Sequence, residues 1–359
     1  MKKVLLGLLF LFVPIMVVNA EETEITQAML DTAFASPNTK VGFVTYKEIH
    51  NVLYGFDFYY DYYYIDPGDY KLGSDVLPSM RDEYVPYLVF TDGTSSLNLN
   101  EHDIGIGLMA IDETGSANLT VKGNGQVTIL NVYKNSNITL EGGTYTQAYI
   151  ENGTLLIKNA TLDTTLAPDG LHEQNGITFN GSGNLTIEDG TFIAEQSVIF
   201  ASSYIDGSEH DINIKGGTFK IDNNHDLARR HTCINLVSSY IKSFKLSGGT
   251  FESEIGAINI IYPDAESIDN NAYDTYLVDG YKYSEELNLQ IVDEVDLRAV
   301  NKLLSIVPKE ETNNEISEET PVQQKETKNP KTNDSILIYI SVLFASLFIL
   351  INKRGIREI

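Results

Sequence analysis

Between Leu97 and Phe251 the chain repeats one pattern: apolar, polar, apolar, a short turn, then threonine and a large apolar residue. Four copies are clear, Ile138-Thr139-Leu140-Glu141-Gly142-Gly143-Thr144-Tyr145, Leu185-Thr186-Ile187-Glu188-Asp189-Gly190-Thr191-Phe192, Ile212-Asn213-Ile214-Lys215-Gly216-Gly217-Thr218-Phe219 and Phe244-Lys245-Leu246-Ser247-Gly248-Gly249-Thr250-Phe251. Weaker copies stand at Leu97-Asn98-Leu99, Leu119-Thr120-Val121 and Leu156-Ile157-Lys158-Asn159-Ala160-Thr161-Leu162. Alternation with a period of two marks a strand with one buried face, and glycine at the turn permits the positive φ that lets a chain change direction. Each copy therefore predicts strand, corner, strand. The copies begin about 18 to 32 residues apart, the length of one circuit of a solenoid whose strands stack in parallel.

A β-sandwich would instead show hairpin turns about every 8 to 12 residues and no phase-locked repeat, and the leucine-rich-repeat framework is absent. The expected fold class is all-β, a right-handed parallel β-helix solenoid of about seven coils over residues 95–262. Seven strands at about 4.8 Å make a rod roughly 34 Å long. Tyr145, Leu162, Phe192, Phe219 and Phe251 occupy one position of the repeat and are expected to stack in its core.

Solenoid ends need covers. Residues 21–94 are expected to form an N-terminal α+β cap, with a short helix from Thr26 to Phe34. It is followed by Tyr54-Gly55-Phe56-Asp57-Phe58-Tyr59-Tyr60-Asp61-Tyr62-Tyr63-Tyr64-Ile65-Asp66, eight aromatics in thirteen residues. Read as a strand, this run puts Phe56, Phe58, Tyr60, Tyr62 and Tyr64 on one face and Asp57, Tyr59, Asp61 and Tyr63 on the other. Packing on the first coil accounts for such a strand. Tyrosine also offers an apolar ring and a polar tip to a sugar or protein surface, which makes Tyr59, Tyr60, Tyr62 and Tyr63 candidate ligand contacts. Residues 263–307 are expected to cap the other end, with a strand and turn from Tyr276 to Tyr283 and a helix near Val295 to Ile306. Residues 308–328, rich in Glu, Thr, Asn, Gln and Lys, predict a disordered stalk.

Gly68-Asp69-Tyr70-Lys71-Leu72-Gly73-Ser74-Asp75-Val76, followed by Leu97-Asn98-Leu99-Asn100-Glu101-His102-Asp103-Ile104 and Leu119-Thr120-Val121-Lys122-Gly123-Asn124-Gly125, resembles the opening of pectate-lyase-like β-helix repeats in many bacterial surface proteins. Glu101 stands where that family commonly has glycine. The resemblance spans residues 68–262 and is one of structure more than of function.

Both chain ends read as processing signals. Lys2 and Lys3, the apolar stretch Val4 to Val18, and Val18-Asn19-Ala20 fit a secretory signal peptide over residues 1–20, cut after Ala20. Residues 329–359 place Asn329-Pro330-Lys331-Thr332-Asn333 before an apolar run, 336–351, and a basic tail. That order resembles the cell-wall sorting signal of sortase substrates in Gram-positive bacteria. The run is close to the ~17 residues a membrane-spanning helix needs. The resemblance implies cleavage after Thr332 by a sortase thiolate and transfer to a peptidoglycan amine, with the membrane occupied only before sorting. The expected destination is extracellular, covalently attached to the cell wall. Asn329 and Asn333 replace the Leu and Gly of the commonest pattern.

Charge narrows the partners. The chain carries 50 acidic and 25 basic side chains, net −25, and the two cuts would remove Lys2, Lys3, Lys353, Arg354 and Arg357 against only Asp334 and Glu358. So acidic a surface excludes nucleic acid as a partner. The single cysteine, Cys233, forms no internal disulfide, and its neighbours Ile234 and Leu236 predict burial.

Because parallel β-helices include polysaccharide lyases and hydrolases, Asp222-Asn223-Asn224-His225-Asp226-Leu227-Ala228-Arg229-Arg230-His231 is the insertion to weigh for chemistry. Asp222, Asp226, Arg229, Arg230 and His231 are candidate ligand contacts, with Asp169, His172 and Glu173 two coils earlier. The Asn-Thr-Asp and paired-Asp signatures of polygalacturonases are absent, as are EF-hand and zinc-ligand spacings. No catalytic residue and no cofactor is expected; calcium is the one cation such an acidic loop would take. The expected function is a wall-anchored adhesin or a rod that binds a glycan or host protein. A wall-attached polysaccharide lyase or hydrolase and a passive structural surface protein are the alternatives.

Overall fold

The computed structural model describes residues 22–310, apart from 54–55, 78–84, 112, 168–174, 204 and 223–230. The expected signal peptide and sorting pentapeptide, the apolar C-terminal run and all but the first residues of the expected stalk lie outside the described residues. No helix among those described is long and apolar enough to cross a membrane.

The fold is mostly β, and most strand pairs are parallel. One sheet has nine strands, all paired in parallel: Thr23–Ile25, Asp69–Leu72, Gly93–Asn98, Ala117–Lys122, Asn137–Leu140, Gly153–Ile157, Gly183–Ile187, His210–Ile214 and Ile241–Leu246. All seven repeats fall on consecutive strands of this sheet. Two stand ahead of them, so the stack begins within the stretch expected to be a cap. Register also sharpens two weak copies. Ser95 and Leu97 lie opposite Leu119 and Val121, and Leu155 and Ile157 lie opposite Ile138 and Leu140. Leu99 and Leu156 are thus outside the in-facing pair of their strands.

Between visits to that sheet the chain enters a second one. Val44–Leu53 and Phe56–Ile65 form an antiparallel hairpin, and Val85–Phe90, Ile104–Ile111, Gln126–Tyr133 and Thr144–Glu151 continue it in parallel. After Thr144–Glu151 the sheet divides. One branch runs through Thr161–Asp163, Thr191–Ala194, Thr218–Ile221 and Thr250–Glu252. The other runs through Asn175–Phe179, Ser197–Ala201, Ile234–Val237 and Ile258–Ile261.

The first branch aligns the aromatic position of the repeat: Tyr145 opposite Leu162, then Phe192, Phe219 and Phe251. Phe192 and Phe219 stack at 4.7 Å, and Phe219 and Phe251 at 4.8 Å. The corner explains the paired glycines. Gly249 has φ 103°, and a Cβ on Gly248 would overlap the carbonyl oxygen of Lys215 one circuit earlier. The first glycine lets corners stack at strand spacing; the second turns the chain.

At the N-terminal end the helix Gln27–Phe34 buries Leu30 and Ala33, and Phe34 meets Tyr46 at 5.0 Å. The C-terminal end departs from expectation. Where a helix is expected near Val295 to Ile306, the chain forms two strands, Asp296–Ala299 and Leu303–Pro308. They pair antiparallel with Ile258–Ile261 and Thr250–Glu252, the last strands of the two branches. Asp296–Ala299 is buried throughout, and Leu304 and Ile306 are buried at a period of two; satisfying two open sheet edges outweighs local helix propensity. Tyr273, on the short helix Ala272–Tyr276, locks this closure: its hydroxyl lies 2.9 Å from the Ile258 carbonyl and 3.1 Å from that of Leu297, and accepts the Ala299 N–H at 3.2 Å.

Candidate ligand-binding face

The aromatic run is a strand of ten residues, Phe56–Ile65, and from Tyr60 to Ile65 its side chains alternate between two faces. Asp61, Tyr63 and Ile65 face the core. Tyr63 is fully buried against Tyr46, at 5.2 Å between ring centres, and the Tyr46 hydroxyl donates to Asp61 at 2.6 Å. Tyr63 is thereby removed from any ligand surface. Tyr60, Tyr62 and Tyr64 face outward, where they join a second apolar cluster separate from the core. Tyr59 stands opposite His50 in the hairpin register.

Neighbouring strands complete the outward face. In one row Tyr64, Val89, Met109, Asn131 and Tyr149 follow in register; in the next, Lys47, Tyr62, Tyr87, Gly107, Ile129 and Gln147. The Tyr87 ring lies over Gly107, in the space a side chain there would take. Tyr62 is the centre, 5.7 Å from Tyr60 and 5.8 Å from both Tyr64 and Tyr87, the last two edge-on. Tyr62 and Tyr87 retain only 9% and 6% exposure, whereas Tyr60, Tyr64, Tyr133 and Tyr149 are half-buried. The centre is therefore a packed floor, and its periphery carries the accessible rings.

Polar groups frame those rings. The Tyr64 hydroxyl bonds to Glu113, and burial, then that carboxylate, pushes the phenol up to about 12. Tyr133 bonds to Glu151; burial, then that carboxylate, raises the phenol here too. Burial lifts the Glu151 carboxyl above its ordinary value, against the opposing pull of the Tyr133 hydroxyl and Lys134. Burial is also the main cause that keeps the Tyr62 phenol protonated far beyond neutral pH. Lys47 sits 4.6 Å from the Tyr64 ring centre and Lys134 5.7 Å from that of Tyr133, within cation–π range. Tyr149 donates to Gln147 at 3.2 Å. Beside the rings lies a hollow of about 540 Å³ lined by Glu113, Thr114, Gly115, Lys134, Asn135 and Asn152. Phenol donors, carboxylate and amide acceptors and flat rings are the groups that bind hydroxyl-rich ligands without bond chemistry.

The second sequence-predicted group lies elsewhere. Asp222 directly follows Thr218–Ile221 and its N–H bonds to the Ala194 carbonyl at 2.8 Å; His231 is buried and its carbonyl accepts from Ser253 at 2.7 Å. Asp226, Arg229 and Arg230, like Asp169, His172 and Glu173, lie outside the described residues. Among the described residues no cluster of three or more His, Cys, Asp or Glu is arranged to hold a metal ion. Cys233 is buried, with its thiol bonded to the Glu252 and Phe219 carbonyls, and burial pushes that thiol up, far from a reactive thiolate.

Tyr87, Met109, Tyr133, Tyr149, Glu113 and Glu151 were not singled out by sequence reasoning. They come from four further stretches of chain, and only strand register brings them to one face. Comparison with protein-family models, with curated proteins and with solved structures finds no match.

Proposed function

We propose that this chain is an exported, sortase-anchored wall protein that holds a right-handed parallel β-helix outward and uses the tyrosine face to bind a glycan or host surface. The observation that carries the binding half is that face: half-buried tyrosines around an aromatic floor on an outward sheet surface, with carboxylates bonded to their hydroxyls. A polar outer surface would suffice for folding, so an aromatic one costs solubility and needs a use. Support for the β-helix comes from strands that visit the sheets in turn and pair in parallel with the next circuit; right-handed crossovers are the rule for such connections. Nine stacked strands make a rod about 43 Å long. Support for anchoring comes from the ordered pentapeptide, apolar run and basic tail, and for export from residues 1–20.

Two experiments test the two halves. Cell fractionation should find the protein in the wall fraction and a Thr332→Ala variant in the membrane fraction; release of the wild type by detergent alone refutes anchoring. Screening the purified protein on glycan and matrix-protein arrays, with calcium and with a chelator, should give binding without turnover. Product formation that disappears when Arg229 and Arg230 are replaced would instead assign an enzyme.

A further inference from the structure

We infer that the tyrosine face selects an uncharged, hydroxyl-rich polysaccharide lying across the strands, and rejects acidic glycans; this rests on the reading of that face as the binding surface. Local charge is the first argument. In a chain of net −25, the charged groups framing the rings are Lys47 and Lys134 against Glu113, Glu151 and Asp92, a balance of one negative charge. Each is also engaged: the lysines with the Tyr64 and Tyr133 rings, Glu113 and Glu151 with the hydroxyls of the same two residues, and Asp92 with the Glu113 N–H and the Thr114 hydroxyl. A polyanion would meet the repulsive field of the whole chain and, among the described residues, no uncommitted cation near the rings. A polycation would have to displace Lys47 and Lys134 from places they already fill.

An uncharged sugar chain meets no repulsive field. Its apolar ring faces can lie on the accessible rings of Tyr60 and Tyr149 and on the parts of the Tyr64 and Tyr133 rings that Lys47 and Lys134 leave open. Its hydroxyls can donate to the remaining lone pairs of Glu113 and Glu151, acceptors that strengthen a hydrogen bond by their charge. The hollow beside the rings is lined by polar groups, which suits hydroxyls and not an apolar side chain. Geometry sets the direction. From Tyr64 to Tyr149 the row crosses four strand spacings, about 19 Å, so the face is long across the strands and matches an extended polymer better than a single sugar.

The test uses the purified protein with dextran, mannan and a soluble β-glucan as neutral probes and hyaluronate and polygalacturonate as acidic ones. Affinity electrophoresis reads binding. The chain has no Trp, so intrinsic fluorescence reports tyrosine directly. At least one neutral polymer should retard the protein, with retardation unchanged at high salt, and the acidic polymers should not. Tyr64→Ala with Tyr149→Ala should weaken binding about tenfold or more, an effect the size of one lost ring contact or larger, and Tyr64→Phe should retain most of it. Thermal unfolding verifies that the variants are folded.

Preference for hyaluronate or polygalacturonate, or failure of every neutral polymer, overturns the proposal. Binding to immobilised matrix proteins separates the two levels. If that binding depends on Tyr64 and Tyr149 while no polysaccharide is bound, the ligand class is wrong and the face stands. If nothing depends on these tyrosines, both readings fall.

Discussion

Replacing Phe219 by alanine probes the internal aromatic column where it is most constrained. The ring is fully buried and sandwiched between Phe192 at 4.7 Å and Phe251 at 4.8 Å, with interplanar angles of 10° and 25°. Phe→Ala in a core costs about 3–5 kcal/mol, more where the walls cannot collapse. Here the walls are rings on strands held in register above and below, and they cannot close the gap without breaking both ladders. We therefore expect the upper half of that range, about 4–5 kcal/mol. Phe219→Leu should cost less than half as much, because Leu162 fills the same place two circuits earlier. Urea unfolding followed by far-ultraviolet circular dichroism measures both. A loss below about 1 kcal/mol for alanine, the level of an average substitution, would refute the column as a principal support.

Three further predictions concern other parts of the molecule. His210 is fully buried, its Nε2 within 3.0 Å of the Ser202 carbonyl and its Nδ1 without a partner among the described residues; burial depresses its pKa. The folded state thus resists a proton that the unfolded chain takes up below about pH 6.5. Stability should be full above that pH and fall as pH drops through it, by at most about 1.4 kcal/mol per unit from this group, and His210→Gln should flatten that part of the profile. Tyr273→Phe leaves the Ile258 and Leu297 carbonyls and the Ala299 N–H without their shared partner and should cost about 1–3 kcal/mol, read by the same urea titration; an unchanged midpoint contradicts the closure. Lys158 bonds to Glu141 at 2.8 Å and is drawn also to Glu188. Lys158→Glu should lower the melting temperature, and salt should restore much of the loss, since screening weakens exposed like-charge contacts.

How far the structure was legible in the sequence follows from range. The strands and corners were legible because their causes are local: a period of two, and Gly-Gly at a corner where one residue needs positive φ and the other tolerates no Cβ. Even there, register was out of reach for the weakest copies, since Leu156 and Leu155 fit the pattern equally until Ile138 selects one. The division of Phe56–Ile65 into two faces was likewise local. Which face looks outward was not, because both are aromatic. It is decided by Tyr46, itself packed on Phe34, closing over Tyr63, and by Tyr87 filling the place of the absent side chain at Gly107. The C-terminal strands were missed for the same reason, since what shapes Asp296–Ala299 is the open edge of Ile258–Ile261.

We propose that the outward tyrosine face is where this protein meets its target. The most direct measurement of this is the adhesion of cells displaying equal amounts of wild type or the Tyr64→Ala, Tyr149→Ala variant, counted on glycan-coated and matrix-coated surfaces under flow. The wild type should hold cells and the folded variant should lose most of that retention. Equal retention by the two would contradict the proposal.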